Sequence, residues 1–393
     1  MSGHDVLITG IGLLSCLGEG VDANWIGLAS GAAPIVDTQT FAPYSVHPLP
    51  ADIDWALQIP RKEQRQMEQW QRIGTYTAGL ALQDAGIKEN ETLTASMDMI
   101  VAAGGGERDV SVDTQILDAS RTRNDREVLL NEKLTTELRP TLFLAQLSNL
   151  LAGNISIVHK VTGSSRTFMG EEGSGISALQ TGLARIRSGQ STHLLVGGAL
   201  NAEHPDTMLS YELAGLLKRD GWSPMWQRGG GSNGGVIMGS GAAFLVLESR
   251  DHATKRGARA YAELAAVFGN QSSRQGDGLA NSIASMLEEV SADNNTLIIS
   301  GTSGAHAATA TEKAVLEERK QTTVRAFSGL TGHMKEAQFP FAVALAALAV
   351  SRNEHLPVLD NAFETARSGN VLCALALTVG YHRSEGAAFV KKA

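Results

Sequence analysis

Residues 165–200 read SRTFMGEEGSGISALQTGLARIRSGQSTHLLVGGAL, and this stretch decides the fold. The segment 165–169 is predicted to be a strand, and the small residues 170–175 to form a tight turn. Apolar residues then recur at helical spacing up to a stop at Gly189, namely Ile176, Leu179, Leu183 and Ile186. The apolar run 194–200 predicts the next buried strand. A strand, a helix and a second strand in this order indicate a parallel crossover unit and therefore an α/β fold.

The composition of the chain is that of an ordinary globular protein. Of its 393 residues, 43% are hydrophobic and 19% are charged, which suits one large or two medium domains. We place the boundary between two halves, 1–250 and 251–393, at the polar segment 251–256. The net charge of −8 argues against nucleic-acid binding, because such binding needs a basic surface.

Targeting signals and cofactor motifs are not evident in the sequence. Two cysteines, Cys16 and Cys373, cannot build a disulfide framework, so a reduced, cytoplasmic compartment is expected. The short polar segment 1–5 leaves no room for a signal peptide. The apolar run 339–350 is too short to span a membrane and is predicted to be a buried core helix. We predict neither a metal nor a cofactor, since the glycine-rich run 229–235 lacks the following Lys-Ser/Thr of a phosphate loop.

Six short motifs occur in a fixed order along the chain: LITGIG at 7–12, NLLAGNIS at 149–156, GVIMGSGA at 235–242, HATKRGARAYAE at 252–263, GTS at 301–303 and TGH at 331–333. In this order they resemble the β-ketoacyl-carrier-protein synthases. The resemblance implies the thiolase fold, in which two similar α/β halves stack as five alternating layers (αβαβα) and two subunits form a dimer.

The chain departs from this family where the family carries out catalysis. The resemblance places the nucleophilic cysteine at Glu172, a histidine at Ser300, a lysine at Ser328 and a second histidine at His333. Only His333 is retained. A carboxylate is a poor acceptor for a thioester-borne acyl chain, and malonyl decarboxylation would lack its paired histidines. We therefore predict no catalytic residue and regard these four as vestigial positions.

Glu172 is predicted to fill the pocket left by the missing cysteine and to pair with His333, because the family brings these two positions together. The simpler alternative is a carboxylate that interacts favourably with the helix dipole, worth about 0.3–1 kcal/mol.

The family's gate near the C-terminus is an aromatic residue followed by two glycines. Here Tyr381 is followed by His382 and Arg383, whose side chains are too bulky for a glycine loop that must swing. We predict a static gate, and we count Tyr381 among the tunnel or interface residues.

One class within the family lacks the nucleophile: the chain-length factor, which pairs with an active ketosynthase and limits how far the acyl chain grows on an acyl carrier protein. The resemblance assigns segment 141–150 to the partner's acyl tunnel. Within it, Leu142 and Gln146 lie one helical turn apart and are predicted to close the tunnel end. Glutamate in place of the cysteine, with the synthase-like sequence, favours an aryl polyene pathway.

Two other functions stay open. The first is a decarboxylating enzyme acting on malonyl-carrier protein, although such enzymes need the histidine replaced by Ser300. The second is a self-associated module that binds an acyl chain or carrier without chemistry. An acidic carrier would need a basic patch, and the local candidates are more simply solvated faces: Lys218 with Arg219, and Lys255 with Arg256 and Arg259.

Overall fold

The computed structural model of the protein describes residues 4–230, 234–290, 296–319 and 322–393, with all their side chains except those of residues 141, 142, 229 and 230. The strands are β1 Val6–Ser15, β2 Gly18–Glu19, β3 Val46–His47, β4 Asp98–Ala102, β5 Ser165–Phe168, β6 His193–Leu200, β7 Met238–Gly239, β8 Gly241–Ser249, β9 Ala262–Asn270, β10 Leu297–Ser300, β11 Thr323–Ala326, β12 Cys373–Val379 and β13 Glu385–Lys391.

The helices are α1 Gly20–Ala29, α2 Arg61–Gln64, α3 Gln69–Asp84, α4 Glu91–Ser96, α5 Val110–Ser120, α6 Arg126–Thr136, α7 Pro140–Ala145, α8 Leu150–His159, α9 Glu171–Arg187, α10 Pro205–Leu213, α11 Arg250–Lys255, α12 Gly278–Glu289, α13 His306–Glu318, α14 Ser328–Thr331 and α15 Gln338–Arg352. Each helix in the described ranges lacks either the length or the apolar content that a membrane crossing needs.

The strand order repeats itself in the two halves of the chain. The first half is ordered β5-β4-β6-β8-β1 and the second β11-β10-β12-β13-β9. In each half the first three strands are parallel to one another and the last two antiparallel to their neighbours. The halves join where β1 and β9 pair over two residues. The predicted pair of similar α/β halves is therefore confirmed.

Helices form three layers around the two halves of the sheet. α9 and α15 contact strands of both halves and lie between them, while α3 and α8 cover the first half and α12 and α13 the second. The alanine-rich α15 is buried over residues 338–350, as predicted for a core helix, because small side chains let strands approach it from both sides. The result is the five-layered αβαβα arrangement expected from the resemblance.

The N-terminus of α9 is more sharply defined than the sequence suggested. The predicted turn at 170–175 is shorter, because the helix already begins at Glu171, after Gly170 (φ 135°). Glu172 therefore lies in the first helical turn. A Cβ on Gly175 would lie 2.6 Å from the carbonyl oxygen of Glu336, so only glycine permits this contact with the segment before α15.

The apolar run 236–247 is divided at Ser240 into two strands. Its first part, β7, pairs with β3 in a separate two-stranded sheet, and its second part, β8, joins the large sheet. The Ser240 hydroxyl accepts a hydrogen bond from the amide of Ala202 (3.0 Å) at the change of direction. The segment at β7 also fixes the backbone of His333. The His333 amide donates to the carbonyl of Ile237, and the Gly239 amide donates to the carbonyl of His333.

Candidate functional site

Glu172 and His333 form a buried pair. The Nε2 atom of His333 lies 2.9 Å from Oε1 of Glu172, and the two residues are 1% and 3% exposed, respectively. The predicted contact between them is thus present. The backbone of His333 is fixed by bonds to Ile237 (2.9 Å) and Gly239 (3.0 Å). Burial alone would raise the pKa of Glu172, but the hydrogen bond and charge of His333 hold it below its ordinary value.

Further charges surround the pair. The Lys335 ammonium lies 3.9 Å from a carboxylate oxygen of Glu171 and 3.7 Å from one of Glu336. These three charged residues adjoin the buried pair of Glu172 and His333. Burial would lower the pKa of Lys335, but the neighbouring carboxylates raise it, so the ammonium stays charged. Burial raises the pKa of Glu336. Glu171 and Lys335 both have positive φ angles, 50° and 48°, which are strained for residues other than glycine.

A row of aromatic rings leads from the pair towards the surface. The ring of Tyr211 packs edge-on against His333 at 6.0 Å between centroids, and the ring of Tyr381 lies 5.6 Å from Tyr211. The Tyr381 hydroxyl donates to Glu171 at 3.3 Å. Among the described residues, His333 Nδ1, Tyr211 Oη and Glu336 Oε1 are buried without a hydrogen-bond partner. Buried polar atoms without a hydrogen-bond partner are rare in folded proteins.

Ser300 and Ser328 are tied into the surrounding structure. The Ser300 hydroxyl donates to Glu312 at 2.5 Å and accepts from the Thr302 amide at 3.1 Å. The Ser328 hydroxyl donates to the Thr302 carbonyl at 2.5 Å. Both serines therefore brace the same residue, Thr302. Burial raises the pKa of Glu312 to about 7, so this carboxyl is partly protonated at neutral pH.

The gate residues form the turn of a β-hairpin. Residues 380–384 connect β12 to β13, and the amide of Gly380 donates to the carbonyl of Ser384 at 2.8 Å. The side chains of His382 and Arg383 are exposed, so the bulky residues lie on the solvent side of the turn. Tyr381 is half-buried and belongs to the aromatic row beside Glu171, which places it at the Glu172 site.

The predicted tunnel residues lie on α7 and at its end. Gln146 caps α7 and is half-exposed, while the side chain of Leu142 lies outside the described residues. The backbone of Gln146 packs against Gly106, where a Cβ would lie 2.7 Å from the Gln146 Cα. Their role in a tunnel stays a prediction.

A cavity of about 350 Å³ lies next to Gly106, and the sequence did not predict it. It is bordered by Glu107, Asn201, Lys335 and Glu336, so charged and polar groups dominate its wall. Glu107 accepts a hydrogen bond from Asn201 at 2.7 Å, and burial raises its pKa to about 7. The sequence feature that could have indicated this cavity is a carboxylate directly after the glycines that end a buried strand.

The arrangement offers acid–base groups but no cysteine at this site. Cys16 is buried, with burial raising its pKa to about 12, and its sulfur donates to the carbonyl of Leu330. Cys373 lies at the start of β12, close to Thr296. A carboxylate occupies the position at the N-terminus of α9, which is where a thiolate would be activated.

Two curated relatives are similar over most of the chain. A 3-oxoacyl-[acyl-carrier-protein] synthase 2 from Vibrio harveyi is 27% identical over 273 residues, which cover 67% of this chain and 62% of the relative. The enzyme of the same name from Rhizobium meliloti (strain 1021) is 28% identical over 284 residues, covering 66% and 62%. The chain thus spans about three-fifths of the length of these relatives.

Solved structures share the fold over the whole chain. The ishigamide ketosynthase/chain length factor has a TM-score of 0.79 at 21% identity, and the alignment covers 99% of both chains. The structure described as AntDE:AntF, a type II PKS acyl-carrier protein in complex with its ketosynthase bound to the hexaketide, has a TM-score of 0.73 at 18% identity with the same coverage. The sequence profile of the β-ketoacyl synthase N-terminal domain matches residues 4–253. The chain therefore belongs to the β-ketoacyl synthase family.

Proposed function

We propose that this chain is a non-catalytic subunit of the chain-length-factor type. It would pair with an active β-ketoacyl-acyl-carrier-protein synthase and shape that partner's acyl tunnel in type II polyketide or fatty-acid-like biosynthesis. The observation that carries the proposal is the buried pair of Glu172 and His333, 2.9 Å apart. The residue at the nucleophile position is already engaged, and as a carboxylate it would form a mixed anhydride that hydrolyses readily.

The positions of the other catalytic groups support the same role. A synthase needs donors aimed at the thioester oxygen and at the enolate that forms on decarboxylation. Ser300 and Ser328 instead direct their hydroxyls to Glu312 and Thr302. This also weighs against the decarboxylase alternative, which needs a histidine where Ser300 stands.

The charged cavity argues against a chain that holds an acyl group by itself. An acyl tunnel needs apolar walls, because burying charged groups against a hydrocarbon chain is costly. Here Glu107, Lys335 and Glu336 border the space of about 350 Å³. This pocket is therefore unsuited to an acyl chain, and we propose that the chain lies in the partner, with this subunit contributing residues from its surface.

An apolar surface on the first half suits a partner subunit. Among the described residues, ten of the sixteen exposed large hydrophobics fall between positions 110 and 169: Val110, Leu117, Val128, Leu130, Leu134, Phe143, Leu144, Leu147, Ile157 and Met169. Exposed apolar side chains mark an interaction surface when they form one patch, and we propose that these ten do so. The same region contains β5, the edge strand of the sheet, which can pair with a strand of another subunit. Segment 141–150 lies within it.

We propose that an acyl carrier protein binds to the basic surface on α2. The cations considered from the sequence are largely paired, with Arg219 contacting Glu212 and Arg256 contacting the buried Glu248. The short helix α2 and the residue after it expose three cations on an otherwise acidic chain, of which Lys62 also contacts Glu63 at 3.3 Å: Arg61, Lys62 and Arg65. An acidic carrier is the chemistry that this group fits.

The pathway can be proposed only by resemblance. The glutamate at the nucleophile position, within a synthase-like sequence, favours aryl polyene biosynthesis, and analysis of the product made with the partner would test it.

Co-purification tests the proposal. The tagged chain, co-expressed with a cysteine-containing synthase from the same source, should recover that synthase in equal amount, and the complex should elongate acyl chains that neither subunit elongates alone. A chain recovered only with itself would contradict the proposal and favour the binding module. Release of carbon dioxide from malonyl-carrier protein by the isolated chain would favour the decarboxylase.

A further inference from the structure

The turn at residues 380–384, which we call the 380–384 loop, lies directly on the first turn of α9. A Cβ added to Gly173 would clash with the side chain of Ser384, so the loop touches the helix immediately beside Glu172. On its inner side, Tyr381 contacts Glu171 and Tyr211. The loop therefore covers the Glu172–His333 pair from the side on which the aromatic row reaches the surface.

An open cleft of about 580 Å³ lies outside this loop. Its polar walls include Gln180 on α9 and Asn270 at the end of β9, and Gly173 and Ser384 also line it. The cleft would lead to Glu172 if the 380–384 loop moved away from α9.

Arg274 holds the loop from a different segment of the chain. Its guanidinium donates to the carbonyl of Gly380 (2.8 and 3.2 Å) and to the carbonyl of Ser384 (3.2 Å), so it binds both ends of the loop. The same group forms an ion pair of 2.8 Å with Glu385. It also donates to the carbonyl and hydroxyl of Ser272, both at 3.1 Å.

Glu385 completes the arrangement from inside the protein. Its side chain is fully buried, and its second oxygen accepts from the Ser272 amide at 3.0 Å. Burial would raise the pKa of Glu385, but its hydrogen bonds with serines and Arg274 lower it, so the carboxylate stays ionised. A buried ion pair with its remaining positions satisfied by hydrogen bonds is costly to break by removing one partner.

We propose that Arg274 and Glu385 form a fixed clasp that keeps the 380–384 loop closed over the Glu172–His333 pair. An ordinary hairpin is held by its own two strands. This one is tied in addition to the 271–277 segment, and the tie involves both ends of the loop. The clasp closes the cleft as a route to the site, and this inference goes beyond the proposed function because it needs no partner subunit.

A reporter thiol tests the clasp in the isolated full-length chain. Glu172→Cys places a thiol behind the loop, and its modification by iodoacetamide is followed by peptide mass spectrometry, which separates it from Cys16 and Cys373. We expect E172C to react slowly and E172C/R274A at least about tenfold faster. E172C/R72A is the matched control, because Arg72 also donates two hydrogen bonds to one backbone carbonyl, that of Gln64, elsewhere in the fold.

Equal rates for E172C and E172C/R274A, in proteins that keep the same near-ultraviolet circular dichroism, would overturn the proposal. So would an equal acceleration by R72A. If R274A does not fold, E172C/R274K decides: the compact ammonium of lysine can retain the charge pair with Glu385 but lacks the guanidinium fork that bonds Gly380, Ser384 and Ser272 together, so E172C/R274K should label severalfold faster than E172C. No acceleration by R274K would then refute the clasp.

Discussion

His333 donates a hydrogen bond to Glu172 over 2.9 Å, although the two residues stand 161 positions apart in the chain. Glu172 is the second residue of α9, and His333 lies on a loop of the second half. The pair is therefore a polar contact between the two halves of the chain.

Removing this contact should destabilise the protein. Glu172→Ala leaves His333 buried without a partner, and we expect a loss of about 3 kcal/mol in the free energy of unfolding, measured by urea denaturation. Glu172→Gln should lose less, since its amide oxygen still accepts the hydrogen bond. Equal stability of the wild type and E172A would show that the pair does not support the fold.

Glu312 predicts a specific dependence of stability on pH. Its pKa rises from 4.5 in the unfolded chain to about 7 in the folded protein, so between these values the folded state binds more protons. Its contribution to stability is present below about pH 4.5 and is lost as the pH rises through 7.

Glu312→Gln should abolish that dependence and keep the hydrogen bond with Ser300. The stability of E312Q relative to the wild type should therefore increase by about 2–3 kcal/mol between pH 5 and 8, as measured by denaturation at each pH. A constant difference over this range would mean that Glu312 is ionised in the folded state.

Restoring the thiol should not restore condensation. Glu172→Cys supplies a nucleophile, but Ser300 and Ser328 bond to Glu312 and Thr302 and cannot stabilise the developing oxyanion. With acyl- and malonyl-carrier protein, E172C should form no more β-ketoacyl product than the wild type, by mass spectrometry. An active synthase of the family serves as the positive control, and product formed by E172C alone would contradict the assignment of these serines.

The proposed tunnel segment can be tested in the complex with the partner synthase. Leu142→Ala and Gln146→Ala should each lengthen the products, because a smaller side chain removes a steric block at the end of the tunnel. Chromatography of the products would detect the change. Leu213→Ala is the matched control, because Leu213 is an exposed leucine at the end of α10, outside the proposed tunnel segment and the apolar surface. Unchanged product length in both variants would exclude these residues from the tunnel.

Local sequence patterns predicted much of the fold. The strand at 194–200 and the end of α9 before Gly189 follow from an apolar run and a glycine stop, and they appear where expected. The apolar run 339–350 is a buried core helix, as predicted, within α15. The layered arrangement came from the resemblance, since no local pattern records how two halves stack.

Long-range side-chain contacts could not be predicted in this way. Arg274 stands 106 positions from Gly380 and binds it through a guanidinium whose surroundings are set only by the folded chain. The charge on Lys335 and Glu336 and the cavity beside Glu107 also depend on elements distant in sequence. The Glu172–His333 contact was predictable because the family supplied both positions.

The close contact at Gly175 has a consequence for how such chains are recognised. A methyl group there would collide with the backbone of Glu336 and with Pro340, whatever residue stands at position 172. This glycine thus meets a requirement of helix packing, and the chain must keep it whatever chemistry the site performs. The active and silent members of the family should therefore be told apart at positions 172, 300 and 328, and not by the glycine that follows.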